Sequence, residues 1–223
     1  MGTVKILPQT MENPLEFIGS VAGVAYNTDT TNREKNIKRA VECIESQHGR
    51  LLEFIDVYMV LEGWSARVMR EFFRHVGDGL TALQASTRYI NYKNFEYYTP
   101  PAIAASEGTQ AIYDDTMKHI GESVEKLMEL GIKREDVGNL LPLGMTSTVA
   151  IKKNARCLSN MSEQRLCNRA LLEYRQLMRE IIKQLKEYSP EWEQFADMIF
   201  GSKCEKLGYC PEAYSCGRYP KKQ

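Results

Sequence analysis

Apolar residues recur every three or four positions in three long segments of the chain, which predicts three amphipathic helices. The segments are residues 32–46, 107–130 and 170–185. Gly131 follows the second segment, and glycine commonly ends helices. Pro190 closes the third, whose apolar stripe we interpret as core packing. A shorter helix is expected from Ser65, a favourable N-cap residue, through about Arg74.

Shorter apolar segments have the composition of β-strands. Residues 17–26 indicate a strand that ends in a turn at residues 27–30, and residues 52–61 indicate a second strand. A further strand is expected around Thr146–Ile151, whereas residues 89–101 are aromatic and indicate a strand or a loop. Helices separated by a few strands predict a domain of the α/β or α+β class.

Composition and charge narrow the classes of function. The 223 residues include 29 basic and 29 acidic side chains, so the formal net charge is zero. A general nucleic-acid binder normally has a basic excess, so we expect no nucleic-acid partner. No apolar run approaches the ~20 residues that span a bilayer. The first residues also lack the apolar core of a signal peptide. We therefore expect a cytoplasmic protein with no membrane partner.

Three cysteines are evenly spaced near the end of the chain, at Cys204, Cys210 and Cys216. We predict a main domain over residues 1–200 and a cysteine-containing C-terminal tail over residues 201–223. Three thiols could bind a metal, but no histidine lies nearby and the C-x-x-C spacing is missing. We assign no metal site and favour free thiols, while the sequence leaves metal binding open.

A cluster of hydrogen-bonding side chains lies between residues 74 and 89. Its members are Arg74, His75, Gln84, Ser86 and Arg88. Arginine side chains match the geometry of phosphate oxygens, so the cluster predicts an anion-binding site. The alternative is a solvated charged face of the protein.

A second polar cluster precedes the last predicted helix. Asn154, Arg156, Asn160 and Arg165 fall within twelve residues, where a purely structural helix would favour Leu, Ala, Glu and Lys. Asparagine can read the edge of a heteroaromatic ring because it both donates and accepts hydrogen bonds. Arginine can pair with a phosphate or polarise a carbonyl. Helix N-capping and surface ion pairing are the alternative roles.

Four ordered segments, within roughly residues 15–195, resemble the flavin-dependent thymidylate synthases. His48-Gly49-Arg50-Leu51-Leu52-Glu53 matches the family's His-x-x-x-x-Glu. Arg74-His75 through Ser86-Thr87-Arg88-Tyr89 matches the family's Arg-His-Arg … Ser-x-Arg-Tyr. Leu141-Pro142-Leu143 and then Asn154-Ala155-Arg156 … Asn160 … Arg165 follow in the family's order. Each segment alone is a weak indication, but the ordered set is fairly specific.

The resemblance implies a fold, a reaction and an assembly. The implied fold is a single domain in which an antiparallel sheet is flanked by long helices, with residues 1–200 as the catalytic domain. The implied reaction is reductive C5-methylation of dUMP to dTMP, with FAD as cofactor and with NADPH and methylenetetrahydrofolate as cosubstrates. The implied assembly is a homotetramer with shared active sites. The cofactor carries the electron chemistry, and the protein supplies orientation and electrostatics.

Matching positions give named residues the roles that the resemblance implies. The residues that would hold flavin, or flavin and folate, are His48, Arg50, Glu53, Arg74, His75, Asn154, Arg156 and Asn160. The residues that would hold the nucleotide are Glu71, Gln84, Ser86, Arg88 and Arg165. Arg165, Ser86 and His48 are the candidate catalytic residues. Arg165 leads them, because a guanidinium at the pyrimidine edge would stabilise negative charge on the carbonyl oxygens.

Two departures from the family pattern fall in the loop after Arg74. Val76 stands where the family has arginine. The interval from Arg74 to Ser86 is also two residues longer than usual, and Gly77-Asp78-Gly79 takes up the difference. Both changes are expected to alter the loop next to the flavin.

Two further departures concern the nucleotide. Gly138 lies four residues before Pro142, where the family usually has an arginine that reaches the nucleotide phosphate. Lys133 or Arg134 is the expected substitute. Glu71 stands where glutamine is common. A charge-assisted hydrogen bond contributes about 1.5–3 kcal/mol, so its loss would change substrate affinity or identity.

These departures keep other functions open. One alternative is flavin-dependent C5-methylation of another pyrimidine nucleotide, such as UMP or a cytidine nucleotide. Another is a non-catalytic protein that binds nucleotide or flavin, which the retention of His48, Ser86, Arg88 and Arg165 argues against. A nucleic-acid-binding module is disfavoured by the zero net charge.

Overall fold

The computed structural model describes residues 2–75 and 80–222. Its strands are β1 (Thr3–Ile6), β2 (Asp56–Ser65), β3 (Thr81–Gln84) and β4 (Thr146–Asn154). Its α-helices are α1 (Pro14–Ala25), α2 (Arg33–Glu45), α3 (Ala66–Phe73), α4 (Pro101–Ala104), α5 (Glu107–Glu129), α6 (Arg134–Val137), α7 (Ala155–Arg165), α8 (Leu172–Tyr188), α9 (Pro190–Ile199) and α10 (Lys203–Leu207). Short 3-10 helices span Gly49–Phe54 and Gly138–Leu140. Val76 and Gly77-Asp78-Gly79, singled out in the sequence, lie outside the described residues.

The four strands form one antiparallel sheet in the order β1-β2-β4-β3. Alternate residues of the two central strands are buried, such as Val57 and Met59 on β2 and Val149 and Ile151 on β4. This period of two places one face of each strand in the core. The predicted α+β class, with an antiparallel sheet and long helices, is confirmed. The strand predicted at residues 52–61 begins only at Asp56, because a 3-10 helix precedes it.

The chain forms two compact units. The first contains Met1–Thr3, Leu61–Arg74 and Ala82–Ala150, and the second contains Val4–Val60, His75–Thr81 and Ile151–Gln223. Strands β2 and β4 contribute residues to both units. The predicted division into residues 1–200 and a tail over 201–223 stays a prediction.

The strand predicted at residues 17–26 is wrong, because these residues belong to α1. Pro14 occupies the first turn of this helix, a position that suits its fixed φ. The buried side of α1 includes Leu15, Ile18 and Ala22, at helical spacing. A Cβ on Gly19 would lie 1.8 Å from the main-chain oxygen of Asn36. Helices α1 and α2 are therefore so close at this point that only glycine fits. Glycines within an apolar run concealed this helical period.

The other helix predictions are confirmed. Ser65 caps α3, since its side chain accepts a hydrogen bond from Val68 N. Helix α5 ends at Glu129, and the predicted stop residue Gly131 follows its C-cap with φ +84. There Gly131 N donates to Met128 O and Ile132 N donates to Leu127 O, both at 3.0 Å, in a Schellman arrangement.

The core of the second unit is built largely by α8 and α9. Leu177 and Ile181 of α8 are fully buried, as are Trp192 and Phe195 of α9. Pro190 does end the α8 segment, but it also starts α9, with Ser189 accepting a hydrogen bond from Trp192 N. The short strands β1 and β3, and helices α9 and α10, were not predicted. Within residues 2–75 and 80–222, no helix is long and apolar enough to cross a membrane.

Candidate functional site

The first cavity of the second unit lies beside α7 and has a volume of about 700 Å³. Three predicted flavin residues line it, namely His48, Arg156 and Asn160. His48 is brought there by the end of α2, because its main-chain N–H donates to Cys43 O at 2.9 Å. Arg156 and Asn160 are four residues apart on α7 and therefore share one face of that helix.

Glu53 joins this cluster through an ion pair with Arg156. The start of α7 is tied to the end of the Gly49–Phe54 3-10 helix, since Ala155 N donates at 2.8 Å to the main-chain oxygen of Ile55, the C-cap residue of that helix. Both side chains of the ion pair remain partly exposed, at 34% for Glu53 and 45% for Arg156. Such exposed pairs contribute little to stability, so the pair serves mainly to orient the guanidinium. Arg50 is exposed and lies outside the linings of both cavities described for this unit.

Asn154 has the N-cap role that the sequence left open. Its Oδ1 accepts a hydrogen bond from Cys157 N at 2.9 Å, and the residue is buried. This cap satisfies one main-chain donor at the start of α7. A role for the Asn154 amide nitrogen toward flavin stays a prediction.

Two lysines of α10 also line the first cavity, and neither was predicted from the sequence. Lys206 Nζ lies 3.0 Å from Ser159 Oγ and 3.0 Å from Glu163 Oε1, both on α7. Lys203 lines the first cavity and also the second. The signal was present in the sequence, because Ser202 and Glu205 form a capping box that predicts a helix in the tail.

The second cavity has a volume of about 480 Å³ and includes Arg165 in its lining. Four cysteines line it as well, namely Cys167, Cys204, Cys210 and Cys216. All are free thiols. Within the described part of the chain, no group of three or more His, Cys, Asp or Glu side chains is arranged to hold a metal ion.

Arg165 is fixed at the end of α7 by two aromatic neighbours. Its Nε donates to His75 Nε2 at 2.8 Å. Its guanidinium carbon lies 4.5 Å from the centroid of the Tyr174 ring, which adds a cation–π attraction. The His75 and Tyr174 rings meet edge to face at 6.1 Å. In this arrangement Nε2 of His75 is the accepting nitrogen of the ring.

The predicted nucleotide residues other than Arg165 belong to the first unit, together with Arg74. Gln84 Nε2 donates to Ser147 Oγ at 3.2 Å. Ser86 Oγ accepts from Arg88 N at 3.2 Å, which forms a tight turn. Arg88 pairs with Glu135 at 3.2 Å. Elsewhere in the unit, Arg74 Nη1 lies 3.4 Å from Glu71 Oε1.

Arg134, rather than Lys133, lies against the Ser86–Tyr89 turn. Arg134 Nη1 donates to Tyr89 O at 2.8 Å, whereas Lys133 is the N-cap residue of α6. Gly138 is nearby, and a Cβ there would lie 3.5 Å from Thr87 Cβ, an ordinary contact. Position 138, where the family usually has arginine, is therefore close to the cationic side chain of Arg134 on α6.

The family model described as thymidylate synthase complementing protein matches residues 6–191. The chain is 31% identical over 201 residues to the flavin-dependent thymidylate synthase of Nitratidesulfovibrio vulgaris, a match that covers 86% of this chain and 80% of the relative. It is 26% identical to that of Clostridium tetani, over 96% of this chain and 93% of the relative. For Pyrococcus horikoshii the identity is 30%, with 95% and 90% covered. The chain therefore belongs to the flavin-dependent thymidylate synthases, a family of methyltransferase enzymes.

Proposed function

We propose that this protein methylates dUMP at C5 to give dTMP, with FAD as cofactor and with NADPH and methylenetetrahydrofolate as cosubstrates. The observation that carries the proposal is the first cavity, where His48, Arg156 and Asn160 meet although they come from separate sequence motifs. Family membership supplies the reaction class, since the relatives are named flavin-dependent thymidylate synthases.

The first cavity suits a flavin nucleotide in size and chemistry. Its volume of about 700 Å³ lies within the range of about 300–1,000 Å³ typical of ligand sites. Arg156, Lys203 and Lys206 supply positive charge toward a pyrophosphate, and Asn160 supplies an amide for the heteroaromatic ring. Bound FAD would supply the electron-transfer chemistry. Arg50, Glu53, Arg74, His75 and Asn154 complete the proposed flavin or folate set.

Arg165 is the proposed electrostatic catalyst. A guanidinium at the pyrimidine edge stabilises negative charge that develops on the ring carbonyl oxygens and so makes C5 more reactive. The hydrogen bond from Arg165 to His75 and the Tyr174 ring hold this group in a fixed direction. Preorganisation of this kind avoids reorganisation at the moment of reaction.

The remaining proposed nucleotide residues are Glu71, Gln84, Ser86 and Arg88. Arg88 is paired with Glu135 across 3.2 Å, and both side chains are substantially exposed. An exposed pair is weak, so a nucleotide phosphate can replace Glu135 as the partner of Arg88. Arg134, hydrogen-bonded to Tyr89 O, is the proposed substitute for the arginine that the family usually has at the position of Gly138.

The proposed assembly is a homotetramer. Exposed apolar side chains in the first unit support contacts between copies, since Leu83 on strand β3 is 78% exposed and Ile112 is 72% exposed. Light scattering with size exclusion would measure the mass of the assembly. The cytoplasmic location stays a prediction.

An anaerobic turnover assay tests the proposed function. Purified protein is given FAD, NADPH and methylenetetrahydrofolate, with dUMP and UMP in parallel, and nucleotide products are identified by mass. We expect methylated product from dUMP. Methylation of UMP alone would instead indicate the related pyrimidine methylation. Flavin binding with no product from either nucleotide would contradict the proposal and point to another pyrimidine substrate or a binding role.

A further inference from the structure

Lys153 is a fully buried lysine near the end of strand β4. An ammonium group so placed is costly unless it is hydrogen-bonded. Its Nζ donates to the main-chain oxygen of His75 at 2.8 Å. The sequence motifs that assign flavin and nucleotide residues do not include this position. A buried cation at this point needs a reason other than core packing, for which an apolar side chain would suffice.

The hydrogen bond from Lys153 continues into the proposed catalytic group. His75, held through its main-chain oxygen, accepts from Arg165 Nε through its imidazole Nε2, at 2.8 Å. The Tyr174 ring lies against both the imidazole and the guanidinium. Two hydrogen bonds therefore connect Lys153 on β4 to His75, and His75 to Arg165 at the end of α7. All three residues belong to the second unit.

We propose that Lys153 is a positioning residue for catalysis. By anchoring the main chain of His75, it sets the imidazole where Nε2 meets the guanidinium of Arg165. The inference rests on the proposed function, in which Arg165 acts on the pyrimidine ring. It assigns to Lys153 no contact with substrate or cofactor.

The chemistry of lysine suits this anchoring role. Burial is the main cause that lowers the pKa of Lys153, against a smaller opposing effect of Cys157. The ammonium and the neutral amine both carry N–H donors, so the bond to His75 O forms in either state. A methionine of similar length would fill the same space but would leave that carbonyl without its donor.

The test compares Lys153→Met with Ile151→Ala in the full-length protein loaded with FAD. Ile151 is buried on the same strand two residues earlier, so its truncation controls for loss of core packing. Histidine-selective ¹⁵N labelling resolves the imidazole of His75, since the chain has three histidines and His48→Gln and His119→Gln variants assign the others. Steady-state kinetics give kcat and the KM for dUMP.

We expect Lys153→Met to shift the His75 Nε2 resonance toward that of an imidazole without the Arg165 hydrogen bond. Turnover should fall about 10- to 100-fold, the effect of misplacing a catalytic group by a fraction of an ångström to an ångström. Ile151→Ala should leave both readouts near wild type. An unchanged His75 resonance, or unchanged kcat, in folded Lys153→Met would overturn the proposal.

The role of Lys153 can still be tested if the variant fails to fold or if the proposed function is wrong. If Lys153→Met does not fold, Lys153→Leu, which is apolar and also lacks a donor, takes its place and should shift the His75 resonance in the same direction; the wild-type resonance there would overturn the proposal. If the wild-type protein makes no dTMP, the proposed function fails by the turnover assay. The His75 resonance still reports whether Lys153 holds the imidazole, because that readout needs no turnover.

Discussion

Arg165 donates a hydrogen bond from Nε to Nε2 of His75 across 2.8 Å. The two residues come from different sequence motifs, and the family resemblance assigns His75 to the flavin and Arg165 to the nucleotide. Their contact joins a residue proposed to bind flavin to a residue proposed to bind the nucleotide. The geometry therefore makes the direction of the Arg165 guanidinium depend on the position of the His75 ring.

Substituting Arg165 tests its proposed role most directly. We expect Arg165→Ala to lower kcat with dUMP by about 10²–10³, the typical effect of removing one stabilising donor from a transition state. FAD affinity should change little, since Arg165 lines the second cavity and not the first. Arg179→Ala, at an exposed position on α8, is the matched control. Equal kcat in both variants would refute the assignment.

Arg134 should carry the phosphate interaction that Gly138 cannot. We expect Arg134→Gln to raise the KM for dUMP about tenfold or more, as the loss of one charge-assisted hydrogen bond implies. Lys133→Gln, one residue earlier, should have little effect. Adding Gly138→Arg to the Arg134→Gln variant should restore affinity, because a Cβ at this position makes only an ordinary 3.5 Å contact. Equal KM values for the Arg134 and Lys133 variants would argue against the substitution.

The two possible roles of Asn154 can be separated by two substitutions. Asn154→Ala removes the N-cap of α7 and should lower the free energy of unfolding by about 1 kcal/mol. Asn154→Ser keeps a capping oxygen and should recover most of that stability. Urea denaturation measures the first role, and titration with FAD measures the second. A weakened affinity for FAD in both variants would show that the amide itself binds the ligand.

Acid should loosen the tail helix α10. Burial of Glu205 opposes its ionisation, but hydrogen bonds from Ser202 and the charge of Arg218 outweigh it and lower the pKa of Glu205. A lowered carboxyl pKa stabilises the folded state above the ordinary glutamate pKa. That stabilisation is lost as the pH falls below about 4.5 and through the folded-state value.

Amide hydrogen exchange of residues 203–207 as a function of pH measures this effect. The wild-type protein should lose protection on acidification, after correction for the intrinsic pH dependence of exchange. Glu205→Gln, which cannot ionise, should show a flatter profile. Matching profiles for the two proteins would rule out Glu205 as the group responsible.

Strong amphipathic periods were sufficient to predict α2, α5 and α8, because each helix buries one continuous stripe. Helix α1 was mistaken for a strand since Gly19 and Gly23 interrupt its stripe where α2 comes close. Strands β1 and β3 are four residues each, and their pairing partners are distant in sequence, so no local pattern could reveal them.

The candidate site was predictable where residue types are unusual for their element. His48, Arg156 and Asn160 were recognised from motifs and share one cavity. Lys203 and Lys206 were missed because lysines in a short tail are usually solvent-exposed surface residues. Only the folded chain brings them to that cavity. Lys153 was missed for the opposite reason, since its burial cannot be read from a strand that also contains Lys152.

The close approach of α1 and α2 has a consequence for which sequences this fold can accept. Any side chain at position 19 would act as a wedge against Asn36, because even a methyl carbon would lie 1.8 Å from its carbonyl oxygen. His48 lies three residues after the end of α2, and its N–H is bonded to Cys43 O in the last turn of that helix. A side chain at position 19 would therefore tilt α2 and carry His48 away from the cavity proposed to bind flavin. Selection on catalysis can thus act on a residue that has no side chain and touches no ligand.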